Sequence, residues 1–133
     1  MQKISQDNEH WREKLTPEQY RVLREKDTEL PFIGKYYNMH ENGMYVCAAC
    51  GNPLFASEHK YDSGTGWPSY DRPFSEDAVE YREDESYSTK RTEVICRRCD
   101  GHLGHVFDDG PKETTCKRFC INSTALNFRK QKK

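Results

Sequence analysis

Two Cys-x-x-Cys segments constrain this chain more than any other feature of its sequence. Residues 47–50 are Cys-Ala-Ala-Cys and residues 96–99 are Cys-Arg-Arg-Cys, with Gly51 directly after the first and Gly101 one residue after the second. This spacing lets both sulfurs of a segment turn towards one ion, and glycine relieves the crowding where the backbone leaves the turn. Two such segments complete a tetrahedral shell and leave no open position for a substrate. We therefore predict one structural zinc ion per chain, bound by Cys47, Cys50, Cys96 and Cys99.

Two other interpretations of the same cysteines remain open. In the first, one segment is a thioredoxin-like redox pair, although that motif belongs at a helix N-terminus in a βαβ unit and both segments here follow strand-like runs. In the second, the four cysteines are unrelated buried side chains, which requires the repeated spacing to be a coincidence.

The composition indicates why a metal would matter to this fold. A chain of 133 residues suits one domain, and we predict a single domain over residues 1–133. Aliphatic side chains are few, whereas the chain has 8 Tyr, 2 Trp and 6 Cys, so we expect an aromatic interior. A core with so few aliphatic side chains needs additional stabilisation, and structural zinc contributes directly to the free energy of folding.

Charge and hydropathy exclude some classes of partner. Lys and Arg number 21 against 22 Asp and Glu, which leaves a net charge of −1, whereas proteins that coat nucleic acid phosphates need a strong basic excess. We find no stretch of membrane-spanning length and no apolar segment in residues 1–15 for a signal peptide. We therefore expect a cytoplasmic protein with no nucleic acid or membrane partner. In that reducing compartment, cysteines are more often metal ligands or reactive thiols than disulfides.

Proline, glycine and short apolar runs predict a mainly β fold of antiparallel strands with an N-terminal helical arm. Thr16 as N-cap, Pro17 at the first helical position and Gln19 closing a capping box predict a helix over about 17–26. Residues 1–14 are expected to be a flexible arm, residues 129–133 a basic tail, and no second helix is predicted. The predicted strands cover residues 44–47, 79–87, 92–97, 104–107 and 117–122.

Cys120 lies on a polar face of the last predicted strand. Alternation along residues 117–122 places Arg118, Cys120 and Asn122 on one side. A nearby guanidinium lowers the pKa of a cysteine by stabilising the nucleophilic thiolate. The alternative is a small cysteine buried in a strand, which would bury two polar side chains with it.

Two histidines and one tryptophan are further candidates for a site. His102 and His105 follow the second cysteine segment, where a bound ion would hold their rings rigidly, as a proton donor requires. A second metal site or a purely structural pair would suit the same spacing. Trp67 stands between glycine-rich turns, where an indole is either part of the core or the wall of an apolar pocket.

Four linked segments resemble one known family. They are residues 61–69 (Tyr-Asp-Ser-Gly-Thr-Gly-Trp-Pro-Ser), 96–99, 101–111 (Gly-His-Leu-Gly-His-Val-Phe-Asp-Asp-Gly-Pro) and 118–123 (Arg-Phe-Cys-Ile-Asn-Ser). In this order they resemble the methionine-R-sulfoxide reductases of the B type, and the similarity runs from about residue 15 to residue 128.

The resemblance implies two antiparallel β-sheets with short N-terminal helices and a thiol-dependent reduction of the R epimer of methionine sulfoxide, free or in oxidised proteins. It implies a sulfenic acid intermediate, thioredoxin or another thiol as reductant, and structural zinc on the four paired cysteines; we expect a monomer. The implied roles are Cys120 as nucleophile, Trp67 and Phe107 as substrate-binding residues, His102, His105 and Asn122 as hydrogen-bonding partners, and Arg118 and Asp109 as groups that tune them.

One departure from the family pattern concerns regeneration of the enzyme. Many members have a resolving cysteine where this chain has Thr65, which leaves Cys116 as the candidate resolving thiol. Four residues of extended strand span about 13 Å, whereas disulfide-bonded residues have Cα atoms about 4.4–6.8 Å apart. Either the segment of Cys116 bends to reach Cys120, or an external thiol attacks the sulfenic acid directly.

Two hypotheses from other classes compete with an enzyme. One is a zinc-ribbon interaction module without catalysis, which leaves Cys120 and the histidine pair without a role. The other is a redox sensor whose zinc thiolates react first with oxidant. Reaction of Cys120 with methionine sulfoxide distinguishes the enzyme from both.

Overall fold

The computed structural model describes residues 3–4, 7–85 and 90–131 of the chain. Within them, two antiparallel β-sheets carry two short helices, which confirms the predicted mainly β fold. One sheet has three strands in the order β2-β1-β9, and the other has six in the order β3-β4-β8-β7-β6-β5. The strands are β1 Gly43–Cys47, β2 Pro53–Ala56, β3 Lys60–Tyr61, β4 Ser69–Tyr70, β5 Val79–Asp84, β6 Arg91–Cys96, β7 His102–Phe107, β8 Arg118–Ile121 and β9 Leu126–Lys130.

The predicted helix is present as α2, Pro17–Glu25. The side chain of Thr16 accepts a hydrogen bond from the backbone N–H of Gln19 at 3.1 Å, and the Gln19 side chain accepts one from the N–H of Thr16 at 3.0 Å. This capping box satisfies two backbone donors at the start of the helix. The helix buries Val22 and Leu23 on the side facing β7.

The expectations for both ends of the chain were wrong in part. Residues 8–14, assigned to a flexible arm, form helix α1, Asn8–Lys14, whose Trp11 is buried and lies under the guanidinium of Arg24. One buried indole is too weak a periodic signal to predict a helix of two turns. The basic tail begins inside β9, since Arg129 and Lys130 pair with β1.

The five predicted strands correspond to β1, β5, β6, β7 and β8, with ends that differ by at most three residues. The strand predicted over 79–87 ends at Asp84 in the structure, and its residues 86 and 87 lie outside the described residues. Four strands were missed, namely β2, β3, β4 and β9. Strands β3 and β4 have only two residues each, and β2 begins with a proline, so alternation had too little length to reveal these three. Strand β9 was missed because its last two residues were assigned to the basic tail.

Aromatic rings join the two sheets, as the composition predicted. The rings of Phe55 on β2 and Tyr70 on β4 stack with centroids 4.4 Å apart, and Tyr45 on β1 meets Tyr70 edge-on at 5.4 Å. All three side chains are fully buried. The core therefore lies between the sheets and holds β4, and with it the neighbouring strand β8, in a fixed position.

Among the described residues, no helix has the length and apolar character needed to cross a lipid bilayer.

Candidate active site and metal centre

The four cysteines of the paired segments form one cluster at a corner of the fold. Their sulfurs all lie within 4.8 Å of one another, with 3.6 Å between Cys47 and Cys99 and 3.6 Å between Cys50 and Cys96. Four thiolates at about 2.3 Å from a central zinc ion would lie about 3.8 Å apart. The four cysteines are therefore positioned to bind a metal ion, and an all-sulfur donor set suits zinc.

The two cysteine segments have the same backbone turn. The N–H of Gly51 donates to the carbonyl of Cys47 at 2.8 Å, and the N–H of Asp100 donates to the carbonyl of Cys96 at 2.8 Å. Gly51 (φ 80°) and Asp100 (φ 62°) are both in the left-handed region. In the second segment the left-handed residue is thus Asp100, and not Gly101 as the sequence suggested.

Gly101 is needed for a different reason, which is close packing. A Cβ atom there would lie 2.9 Å from Cδ2 of Leu23 on α2 and 3.3 Å from Sγ of Cys99. Its carbonyl also accepts a hydrogen bond from the N–H of Cys96 at 2.9 Å. The turn of the second cysteine segment therefore closes the β6–β7 connection and fixes the start of β7 at His102.

The register of β7 and β8 brings the candidate catalytic residues together. His105 lies directly opposite Cys120, and Phe107 opposite Arg118. Residues opposite each other in an antiparallel pair share a face of the sheet. Gly104 allows this close pairing, because a Cβ atom there would lie 2.0 Å from the carbonyl oxygen of Cys120.

These side chains line a cavity of about 260 Å³ on that face of the sheet. It contains most of the predicted site residues, and also three positions that sequence reasoning missed, namely Thr28, Arg91 and Gly104. The lining residues are Thr28, Thr65, Trp67, Arg91, Gly104, His105, Phe107, Arg118, Cys120 and Asn122.

The electrostatics of Cys120 differ from the sequence-based expectation. Burial raises the pKa of the Cys120 thiol to about 11, and the opposing effect of the Arg118 guanidinium is smaller. The resting group is thus a neutral thiol at pH 7 instead of the thiolate that the flanking arginine suggested. The sequence shows the cation but not the degree of burial, which here has the larger effect.

Arg118 is itself fixed by two neighbours. Its guanidinium donates to both carboxylate oxygens of Asp109, at 2.8 and 3.2 Å, and lies 4.4 Å from the centre of the Phe107 ring. These contacts hold the cation at the cavity wall, whereas the Asp109 carboxylate itself is largely exposed. Asp109 therefore does not line the cavity itself but holds the Arg118 guanidinium in place there.

His105 is held by a carboxylate that sequence reasoning missed. Its Nε2–H donates to Oδ2 of Asp84 at 2.7 Å, and Asp84 also accepts from Arg91 at 3.3 Å. Burial lowers the pKa of His105, although the bond to Asp84 acts in the opposite direction. The neutral imidazole, with its lone pair on Nδ1, is therefore the favoured form at pH 7, although the sequence had suggested a proton donor here.

His102 lies behind His105 instead of lining the cavity. The ring is 3% exposed, and its centroid is 5.4 Å from that of His105. Its Nδ1–H donates to the buried carboxylate of Glu93 at 2.6 Å, and Lys26 is 3.4 Å from the other oxygen of Glu93. Burial acts to raise the pKa of Glu93, but His102 and Lys26 together keep it below its usual value.

The loop after α2 connects Asn122 and Trp67. The Glu29 N–H donates to Oδ1 of Asn122 at 3.0 Å, and the Glu29 carbonyl accepts from the Trp67 indole N–H at 3.0 Å. Nδ2 of Asn122 donates to the carbonyl of Leu103 on β7, also at 3.0 Å. The indole is half-buried and its orientation is fixed, so Trp67 is a wall of the cavity and not part of the central core.

Thr65 lines the cavity, but the candidate resolving residue Cys116 does not. Cys116 is exposed and has a φ of 63°, in a turn closed at both of its backbone groups. Its N–H donates to the carbonyl of Pro111 at 2.9 Å, and its carbonyl accepts from Gly110 at 3.0 Å. The extended strand begins only at Arg118, so the segment does bend, as the sequence argument required for any approach to Cys120.

The raised pKa of Cys120 predicts how its alkylation depends on pH. In a Cys116→Ser background, the rate of reaction with iodoacetamide at Cys120 should rise about tenfold per pH unit between about pH 7 and 9, because the thiolate fraction grows in that proportion below the pKa. Mass spectrometry of the labelled peptide measures the rate. A rate that is already constant at neutral pH would contradict the dominance of burial.

Comparisons of the sequence with a family model and with known proteins agree on one family. The sequence model of the SelR domain matches residues 15–130. A protein of Chromohalobacter salexigens named peptide methionine sulfoxide reductase MsrB is 54% identical over 127 residues, covering 96% of each chain. One of the same name from Methanosarcina mazei is 56% identical over 129 residues, covering 97% of this chain and 91% of its own.

Proposed function

The chain belongs to the SelR domain family, and from this membership we propose that it is a peptide methionine-(R)-sulfoxide reductase that uses Cys120 as its nucleophile. The observation that carries the proposal is the cavity in which Cys120 lies opposite His105, with Trp67 as a wall. A thiol beside an imidazole is suited to nucleophilic chemistry, and an indole face is suited to a methyl group.

The first half-reaction moves oxygen from one sulfur to another. The Cys120 sulfur attacks the sulfoxide sulfur and forms a sulfur–sulfur bond, while the oxygen takes up the proton of the thiol and leaves as hydroxide. The hydroxide then attacks the Cys120 sulfur to give the sulfenic acid, and the sulfur–sulfur bond breaks with its electron pair remaining on the methionine sulfur. The substrate sulfur is reduced by two electrons and Cys120 is oxidised by two. Methionine leaves, and no other oxidant or reductant is consumed in this step.

The proton for the sulfoxide oxygen is already present in the resting site. With the thiol protonated and His105 neutral, the pair holds one transferable proton, which His105 accepts on Nδ1 and passes to the oxygen. Asp84 stabilises the imidazolium formed during this transfer, since it is hydrogen-bonded to Nε2. Arg118 stabilises the thiolate as it forms. Asn122 accepts a hydrogen bond from the N–H of Glu29, whose carbonyl accepts one from the Trp67 indole, and so supports the Trp67 wall.

We propose that Cys47, Cys50, Cys96 and Cys99 bind zinc and that the ion has a structural role. It would fix the β6–β7 turn and thus the position of His102 and His105. A shell of four cysteines leaves no coordination position for substrate, so the ion takes no part in the chemistry.

For regeneration we propose direct attack of an external thiol on the sulfenic acid. The first thiol of a dithiol reductant forms a mixed disulfide with Cys120 and releases water, and the second restores the Cys120 thiol. The closed turn around Cys116 and its position outside the cavity lining support this route over a Cys116–Cys120 disulfide.

Replacing Cys116 tests the choice between these routes. We expect Cys116→Ser to retain turnover within about twofold, both with thioredoxin and with dithiothreitol. Selective loss with thioredoxin, together with an oxidised parent protein that has lost two hydrogens, would instead identify Cys116 as the resolving residue.

We further propose a single-domain, monomeric enzyme over residues 1–133, with thioredoxin or a similar thiol as reductant. A reducing compartment such as the cytoplasm is consistent with six cysteines that form no disulfide. The alternative of a non-catalytic zinc-ribbon module would leave the cavity around Cys120 without a function. Relatives that are named reductases also argue against a module without catalysis.

Turnover of the separate sulfoxide epimers tests the proposed activity. With dithiothreitol as reductant, the protein should convert N-acetyl-methionine-R-sulfoxide to N-acetyl-methionine and leave the S epimer unchanged. Chromatography of the products measures both reactions. Equal conversion of the two epimers, or no conversion of either, would contradict the proposal.

A further inference from the structure

Three large apolar side chains are exposed together on the loop after α2. Leu30, Phe32 and Ile33 are 68%, 63% and 68% exposed. We call these three residues the apolar rim. Contiguous exposed apolar side chains on a soluble fold indicate an interaction surface more often than isolated ones do.

The apolar rim is attached to the wall of the catalytic cavity. The N–H of Phe32 donates to the carbonyl of Gly66 at 2.7 Å, and the neighbouring indole of Trp67 donates to the Glu29 carbonyl at 3.0 Å. A Cβ atom on Gly66 would lie 2.6 Å from Cβ of Pro31, so the two loops are in direct contact. Thr28 and Trp67 both line the cavity, so the loop that carries the rim adjoins the cavity wall.

The backbone of Phe32 is held in an unusual conformation. Its φ of 70° is in the left-handed region, which a bulky residue rarely adopts without a surrounding constraint. The bond to Gly66 supplies that constraint, and the ring meets Tyr37 edge-on at 5.5 Å. The loop therefore presents a defined apolar surface beside the cavity.

We propose that the apolar rim binds the polypeptide on either side of a methionine sulfoxide, so that the enzyme prefers sulfoxides flanked by apolar residues. This inference rests on the proposed reductase activity. A cavity of about 260 Å³ accommodates one side chain. The main chain of a peptide substrate must therefore stay outside it, near the Trp67 wall whose loop is bonded to the rim loop at Phe32 and Glu29. An extended chain advances about 3.3 Å per residue, so residues within two or three positions of the sulfoxide reach the rim.

The chemistry of the substrate agrees with an apolar contact. Methionine normally packs in hydrophobic cores, and its oxidation disrupts that packing. A sulfoxide formed in such a segment is flanked by apolar residues that become accessible when the segment opens. Such segments therefore present to the rim the apolar flanking residues that the proposal requires.

Matched peptides test this specificity. We would compare an R-sulfoxide peptide flanked by two leucines on each side with one flanked by two serines, both with terminal lysines for solubility and with dithiothreitol as reductant. The native protein should have a kcat/KM about tenfold higher for the leucine peptide. N-acetyl-methionine-R-sulfoxide serves as the small reference substrate.

The decisive variant combines Leu30→Ser, Phe32→Asn and Ile33→Ser, in which asparagine tolerates the left-handed backbone. The ratio of kcat/KM for the leucine and serine peptides should fall to about 1. Phe74→Ser is the matched control, because Phe74 is also exposed and lies outside the rim. That control should retain the native ratio.

Each alternative gives a different result. Equal kcat/KM for the two peptides with the native protein, or an unchanged ratio in the triple variant, would overturn the inference. Two other results would also overturn it. If the native protein self-associates and the triple variant does not, the rim binds a second copy of this chain. If the triple variant loses turnover only with thioredoxin, the rim binds the reductant. Failure of the proposed activity itself is distinguishable, because the small reference substrate would then not be reduced.

Discussion

Cys120→Ser should lower kcat/KM for methionine-R-sulfoxide by about three orders of magnitude or more, because a hydroxyl cannot form the sulfenic acid. Serine is close to cysteine in size, and strand β8 is already paired on both sides. The thermal transition and the metal content should therefore match those of the parent protein. Product chromatography and thermal denaturation measure the two properties.

Cys116→Ser is the matched control for this variant, since it removes the other non-clustered thiol without touching the cavity. Loss of activity in Cys116→Ser together with normal activity in Cys120→Ser would contradict the assigned nucleophile. Unfolding of Cys120→Ser would be visible in the thermal scan and would call for Cys120→Ala.

Removal of the metal should have an equally large effect, on folding instead of chemistry. Structural zinc sites contribute roughly 10–16 kcal/mol of apparent binding free energy, whereas whole domains are stable by about 5–15 kcal/mol. A strong chelator, or the Cys96→Ser variant, should therefore abolish the cooperative thermal transition. Circular dichroism and elemental analysis of zinc measure folding and metal content together.

The position of the cluster explains this sensitivity. Cys47 ends β1 of the small sheet and Cys96 ends β6 of the large one, so the cluster joins the two sheets across the chain. Leu23 of α2 packs against the same turn. A protein that lacks zinc but retains its thermal transition would contradict the structural role.

Features encoded by short, local patterns were predictable from the sequence. The capping box of Thr16 and Gln19 fixes the start of α2, and the paired cysteine spacing gives the metal cluster. Alternation along 117–122 correctly placed Arg118 and Cys120 on one face. Each of these signals needs only a few neighbouring residues.

Features that depend on contacts between distant segments were not predictable. The Glu93 carboxylate under His102 comes from the neighbouring strand β6, and the Asp84 carboxylate on His105 comes from β5, one strand further away. Nothing in their own sequence surroundings marks them. Burial raises the pKa of Cys120 and lowers that of His105, against the effects of Arg118 and Asp84, and burial can only be seen in the fold. The contact of residues 28–33 with Trp67 likewise joins segments more than thirty residues apart.

The most direct test of the central claim is the mass of the Cys116→Ser protein after mixing with methionine-R-sulfoxide in the absence of any reductant. The proposed chemistry predicts one added oxygen atom per chain, located on Cys120 by peptide mapping, and one equivalent of methionine released. The S epimer should leave the mass unchanged. An unchanged mass with the R epimer, or oxygen found on a cysteine of the metal cluster, would contradict the claim that Cys120 is the nucleophile of a methionine-R-sulfoxide reductase.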